Sequence, residues 1–249
     1  MGKAPRINCL LVGALMLLLT RTSVAQAPSH AKWDQLLKKY VGVDGRVNYK
    51  GFSGDKNSLN AYLQDLTNHS PDNRWKKNEK LAYWINAYNA FTVKLIVDNY
   101  PLKGIKDLNP TVALPGVNTV WQKRFFKIGP KETSLDDIEH EILRKQFDEP
   151  RIHFAINCAS VSCPVLLNEA YTPDKIEQQL QQQAIRFVND PTRNIVSKNE
   201  LRLSQIFNWF TKDFTKKGTL IDFVNQYAKV KVSKNASLKF LEYNWNLNE

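Results

Sequence analysis

The chain has 249 residues, 43% of them hydrophobic and 24% charged, enough to bury the core of one large domain. Ten glycines, eleven prolines and three cysteines exclude collagen-like sequence, low-complexity disorder and a dense disulfide scaffold. The formal charge of +11 favours anionic surroundings, but the basic residues are scattered, without the basic helix or interleaved aromatic stripe of a nucleic-acid site.

Residues 1–25 read as a secretory signal. Lys3 and Arg6 make a basic start, and Cys9 to Leu19 form an apolar run of 11 residues, too short for a bilayer. Ser23-Val24-Ala25 offers a small-x-small cleavage site. Cleavage would remove three cations and no acid, leaving +8, no integral membrane span and an exported, periplasmic or extracellular protein. Anionic cell-envelope polymer or peptide is the expected partner.

Trp33, Leu36, Leu37 and Tyr40 predict a helix, followed by a loop marked by Gly42, Gly45, Gly51 and Gly54. A second amphipathic helix presents Leu59, Tyr62, Leu63 and Leu66. Residues 80–100 are apolar nearly all round, predicting a central buried helix stopped by Pro101. Its exceptions, Asn86 and Asn89, need buried partners. Phe125 to Ile128 reads as strand-like, and Ser134-x-x-Asp137 as a capping box opening a helix through Ile138, Ile142 and Leu143.

Arg151 to Asn157 alternates like a strand. Thr172-Pro173 is expected to cap a helix carrying Ile176, Leu180, Ala184, Phe187 and Val188 inward. Ile195-Val196 and Leu201-x-Leu203 read as a hairpin, Ser204 and Thr219 as helix caps, and Lys239 to Tyr243 as a last strand. The sum is one α+β domain: a central buried helix and a small sheet surrounded by amphipathic helices. Its organisation is residues 26–74 as a helical extension packed on a domain of residues 75–249.

Phosphate-cradling and dinucleotide-binding glycine motifs are absent, and His140-Glu141-Ile142-Leu143-Arg144 lacks the second histidine of a zinc-protease helix. No cofactor or metal is expected. Chemistry concentrates in residues 153–164, HFAINCASVSCP, which hold both cysteines that survive export. Three readings stand: a Cys158–Cys163 disulfide, a cysteine nucleophile with His153 or His140 as base, and a metal held by His153, Cys158 and Cys163. On an extended strand His153 and Cys158 would lie about 16 Å apart, so a direct dyad requires a bend.

The stretches Tyr83–Ala90 and Ile152–Pro164, with Leu203-Ser204-x-Ile206-Phe207-x-Trp209-Phe210, Asp213-Phe214 and Leu241-x-Tyr243-x-Trp245-x-Leu247-Asn248, resemble the domain of unknown function 547 over roughly residues 75–248. Asn244 departs from that pattern, which has Asp before the tryptophan. The resemblance implies an exported bacterial member and assigns no activity. Two functions follow. One is a thiol-dependent hydrolase or acyl-transferase, with Cys158, Cys163 and His153 catalytic and Asn86, Asn89 and Asn157 binding or orienting. The other is a non-catalytic cell-envelope binding module stapled by the disulfide. A redox protein cycling that disulfide lacks the C-x-x-C spacing.

Overall fold

The computed structural model describes residues 1–2, 27–110 and 118–249. The expected secretory leader therefore lies almost entirely outside the described residues. Three helices, α1 (Ala31–Tyr40), α2 (Tyr49–Gly54) and α3 (Lys56–Asn68), pack together and against the long α4 (Lys77–Asn99). Helix α4 is buried from Leu81 to Val97 on all but a narrow strip, which explains its near-continuous apolar sequence. Gly51 and Gly54 belong to α2 instead of a loop: the Asn48 side chain accepts from the Gly51 N–H and holds the first turn.

Trp33 to Tyr49 contribute to the core around α4. Trp33 stacks on Tyr62 at 5.8 Å, and the Tyr49 hydroxyl donates to Asn248 at 2.8 Å, joining the two ends of the domain. A second cluster centres on Phe154, which packs against Phe187, Phe207, Phe214 and Phe223.

Strands β1 (Phe126–Ile128) and β2 (Lys131–Thr133) form a short antiparallel hairpin. A π-helical segment, Asp137–Leu143, follows and runs into the single turn α5 (Arg144–Gln146). Helix α6 spans Ile176–Val188. Strand β3 (Ile195–Val196) pairs antiparallel with β4 (Glu200–Leu203), and β5 (Ser237–Phe240) lies parallel to β4 with Leu203 opposite Phe240. Between them come α7 (Gln205–Trp209), α8 (Thr211–Phe214) and α9 (Leu220–Val224), with Ser204 and Thr219 capping α7 and α9 as expected. Among the described residues no helix is long and apolar enough to cross a membrane.

Two further expectations change. Residues 151–157 are not a strand: Pro150–Phe154 is a 3₁₀ turn, started by Pro150 and by Glu149, whose carboxylate accepts from the Arg151 N–H. Every residue from Arg151 to Asn157 is buried, so the alternation never reported two faces. Helix α6 begins at Ile176 without a side-chain cap, three residues beyond Pro173, although its inward residues are those expected.

Candidate active site

The site is assembled from four short segments. In the first, the Ser134 and Asp137 side chains exchange hydrogen bonds with each other's backbone N–H groups at 3.0 Å, fixing the start of the π-helical segment. That segment and the residues beside it place Asp136, His140 and Arg144 in a ladder. His140 Nε2 lies 3.5 Å from Asp136, and Arg144 Nη1 lies 2.7 Å from His140 Nδ1. Glu139 stands beside the ladder, facing inward. π-Helical turns recur at functional sites because they break the regular side-chain spacing.

The second segment is the 3₁₀ turn carrying His153. The third is the break between α7 and α8, occupied by Phe210, together with α8, which carries Asp213. The His153 ring stacks on Phe210, centroids 3.9 Å apart, and is 1% exposed at its side chain. His153 Nε2 donates to Asp213 Oδ2 at 2.9 Å. Arg144 donates to the same carboxylate from Nε at 2.6 Å and Nη2 at 3.3 Å. Burial works against ionised Asp213, but the His153 and Arg144 hydrogen bonds outweigh it and hold the carboxyl well below the usual carboxylate range.

An ionised Asp213 only accepts, so the His153 proton sits on Nε2 and the lone pair of the neutral ring is on Nδ1. Nδ1 has no hydrogen-bond partner, and Glu139 Oε1 lies 3.8 Å away. Burial lowers His153 to about 4, against the pull of Asp213. Burial raises Glu139 to about 7, against the Tyr88 hydroxyl that donates to its Oε2 at 3.3 Å and the positive charge of Arg144. Two neighbouring groups are thus pushed in opposite directions, each toward its neutral form, a pattern associated with acid–base sites.

The fourth segment is the C-terminal tail. Ser160 and Leu247 form an isolated bridge, Val161 N–H donates to Asn246 O at 2.8 Å, and the Asn244 N–H donates to Ser162 Oγ at 2.9 Å. This pairing places Tyr243 and Trp245 over the Cys158–Cys163 loop. Trp245 packs against Tyr243, Trp209 and Trp121 at 4.4–5.6 Å, with Lys106 Nζ 3.7 Å from its ring. These aromatic rings and the acid–imidazole line enclose a cleft of about 300 Å³.

Gly104 permits the tail to close the cleft. A Cβ there would lie 2.3 Å from the Trp245 carbonyl oxygen. Gly104→Ala is expected to cost about 1–3 kcal/mol in chemical denaturation and to expose the indole of Trp245 to an aqueous quencher.

Cys158 and Cys163 are joined by a disulfide, with Cα atoms 6.2 Å apart, and both line the cleft with His153. The metal reading is therefore corrected: the two sulfurs are bonded to each other. Among the described residues no group of three or more His, Cys, Asp or Glu could hold a metal ion. Asn86, Asn89 and Asn157 are also brought to new positions. Asn86 donates to Tyr171 O at 2.8 Å and accepts from Tyr171 N–H at 3.0 Å. Asn89 donates to Ala155 O at 2.9 Å and accepts from Asn157 N–H at 2.8 Å. Asn157 donates to Pro164 O at 2.6 Å and accepts from Ala159 N–H at 2.8 Å. Their amides bond to backbone behind the site, and none of the three lines the cleft.

Sequence reading gave no role to Glu139, Arg144 and Asp213. The i, i+4 series Asp136, His140, Arg144 is a local signal for Arg144 beside the candidate base His140, whereas Glu139 and Asp213 carry none.

Fold and site together define a single α+β domain with a recessed aromatic cleft lined by Glu139 and His153, the imidazole being held by Asp213, which does not itself line the cleft. The model of the family described as "Protein of unknown function, DUF547" matches residues 73–188 of the chain. That span contains α4, the π-helical segment, His153, both cleft cysteines and α6, and ends before Asp213 and the tail. No curated protein and no solved structure matches the chain.

Proposed function

We propose that the chain is an extracytoplasmic enzyme of the hydrolase or acyl-transferase type that works by acid–base catalysis in this cleft. The observation that carries the reading is the fully buried His153, fixed through Nε2 on Asp213, with its free Nδ1 turned toward Glu139. Glu139, poised near neutral pH, takes a proton from an attacking water or hydroxyl and returns one to the leaving group. The His153 Nδ1 lone pair faces Glu139 across 3.8 Å, while Asp213, itself held by Arg144, fixes the ring through Nε2. The disulfide supports an oxidising compartment. With the bond formed neither sulfur offers a thiolate, so the nucleophile is water or hydroxyl, and a thiol-dependent route would require prior reduction.

The aromatic walls suit an apolar or sugar face of a cell-envelope polymer or peptide, and they equally suit a binding module without chemistry; that second reading rests on Trp209, 47% exposed beside Trp245. The test is turnover of a panel of chromogenic esters, peptides and glycosides by the oxidised protein, with and without dithiothreitol. Turnover without reductant, with a pH profile inflecting near 7, supports the acid–base reading. Turnover only after reduction supports the thiol reading, and saturable binding without turnover supports the module.

A further inference from the structure

The disulfide itself occupies an asymmetric setting. Cys158 is partly exposed on the cleft, whereas Cys163 is 3% exposed. The Tyr243 hydroxyl lies 3.3 Å from each sulfur and so favours neither. What breaks the symmetry is the Cys158 backbone N–H, which donates to Cys163 Sγ at 2.9 Å. Arg193, whose charge is paired with Asp190, braces the loop on the same side: its guanidinium donates to Cys163 O at 2.6 Å and Val161 O at 3.0 Å. In thiol–disulfide exchange the accessible sulfur is attacked, and the better-stabilised sulfur leaves as thiolate.

We propose that Cys158–Cys163 is a thiol–disulfide exchange centre of fixed polarity, in which a peptide dithiol attacks Cys158 and Cys163 departs. A substrate thiolate forms a bond to Cys158 Sγ as the S–S bond breaks, and the electron pair leaves on Cys163 Sγ, where the Cys158 N–H and Tyr243 O–H receive it. The second substrate thiolate then attacks the substrate sulfur of the mixed disulfide and releases the Cys158 thiolate. The substrate loses two electrons and becomes a disulfide; the protein gains them as two thiolates, which take up the two protons the substrate thiols released. The Ser160–Leu247 bridge and the Arg193 clamp keep the loop closed, so the reduced sulfurs stay adjacent and the step can reverse. This inference does not rest on the acid–base reading, because it uses neither Glu139 nor His153.

The test uses the oxidised protein and reduced glutathione as probe, under native conditions, quenched with iodoacetamide and read by peptide mass mapping. Glutathione is expected on Cys158 and the alkyl group on Cys163, in at least about tenfold excess over the reverse pattern, with the preference lost in denaturant. Tyr243→Phe, which keeps the ring, is expected to slow native-state reduction by about 3–10-fold. The inference is overturned if glutathione marks Cys163 as readily as Cys158, if the bond is reduced only as fast as the protein unfolds, or if Tyr243→Phe reacts at the wild-type rate.

Discussion

Glu139→Gln is expected to lower turnover by at least about 100-fold while making the protein more stable at alkaline pH. Glutamine keeps the shape of the side chain and can still accept from the Tyr88 hydroxyl, but it cannot exchange a proton. Burial raises the Glu139 carboxyl from its ordinary value to about 7, so between roughly pH 4.5 and 7 the folded chain holds a proton that the unfolded chain has released. Its stabilising contribution is complete below pH 4.5 and is lost as the pH rises through 7. Removing the ionisable group should therefore shrink the loss of stability between pH 5 and pH 8 by about 2–3 kcal/mol, read from urea unfolding at the two pH values. His153 works in the other direction. Burial lowers it to about 4, so its contribution is complete above pH 6.5 and is lost as the pH falls toward 4. The buried His30, also lowered to about 4 by burial, adds to that acid sensitivity. A variant that gains alkaline stability yet turns over substrate at the wild-type rate would remove Glu139 from the chemistry.

Asn89→Leu is expected to cost about 2–5 kcal/mol, a large share of the stability of an ordinary domain. Asn89 sits on α4, 2% exposed, and its amide reads two backbone groups of the 153–164 segment at once, the Ala155 carbonyl and the Asn157 N–H. Leucine fills the space but leaves both groups buried without partners, each worth about 1–3 kcal/mol. Chemical denaturation of Asn89→Leu beside wild type checks the magnitude. A loss under 1 kcal/mol would mean that the loop finds other partners and that Asn89 does not anchor the site.

The helices could be read from the sequence where one physical signal dominated. The unbroken apolar run of α4, the Leu59-Tyr62-Leu63-Leu66 face of α3 and the Ser134, Ser204 and Thr219 caps all reappear in the structure, because apolar patterning and capping are written locally along the chain. The 3₁₀ turn at Pro150–Phe154 was hidden because residues buried on every side carry no period. The site was half legible. Two cysteines and a histidine within twelve residues marked the place, and the buried amides marked a network; but asparagine satisfies backbone as readily as it orients a substrate, and only the tertiary fold decides between them. Glu139, Arg144 and Asp213 come from positions up to 74 residues apart, and their meeting depends on a π-helical segment and a helix break that composition does not announce.

The most direct measurement is an NMR titration of the oxidised protein, following the Glu139 side-chain carboxyl carbon and the His153 ring nitrogens from pH 4 to 9. Glu139 is expected to titrate near pH 7 while His153 remains a neutral ring, protonated on Nε2, down to about pH 5. A Glu139 that is already ionised at pH 5, beside a His153 that gains its second proton above pH 6, would contradict the proton-handling pair on which the proposed chemistry depends.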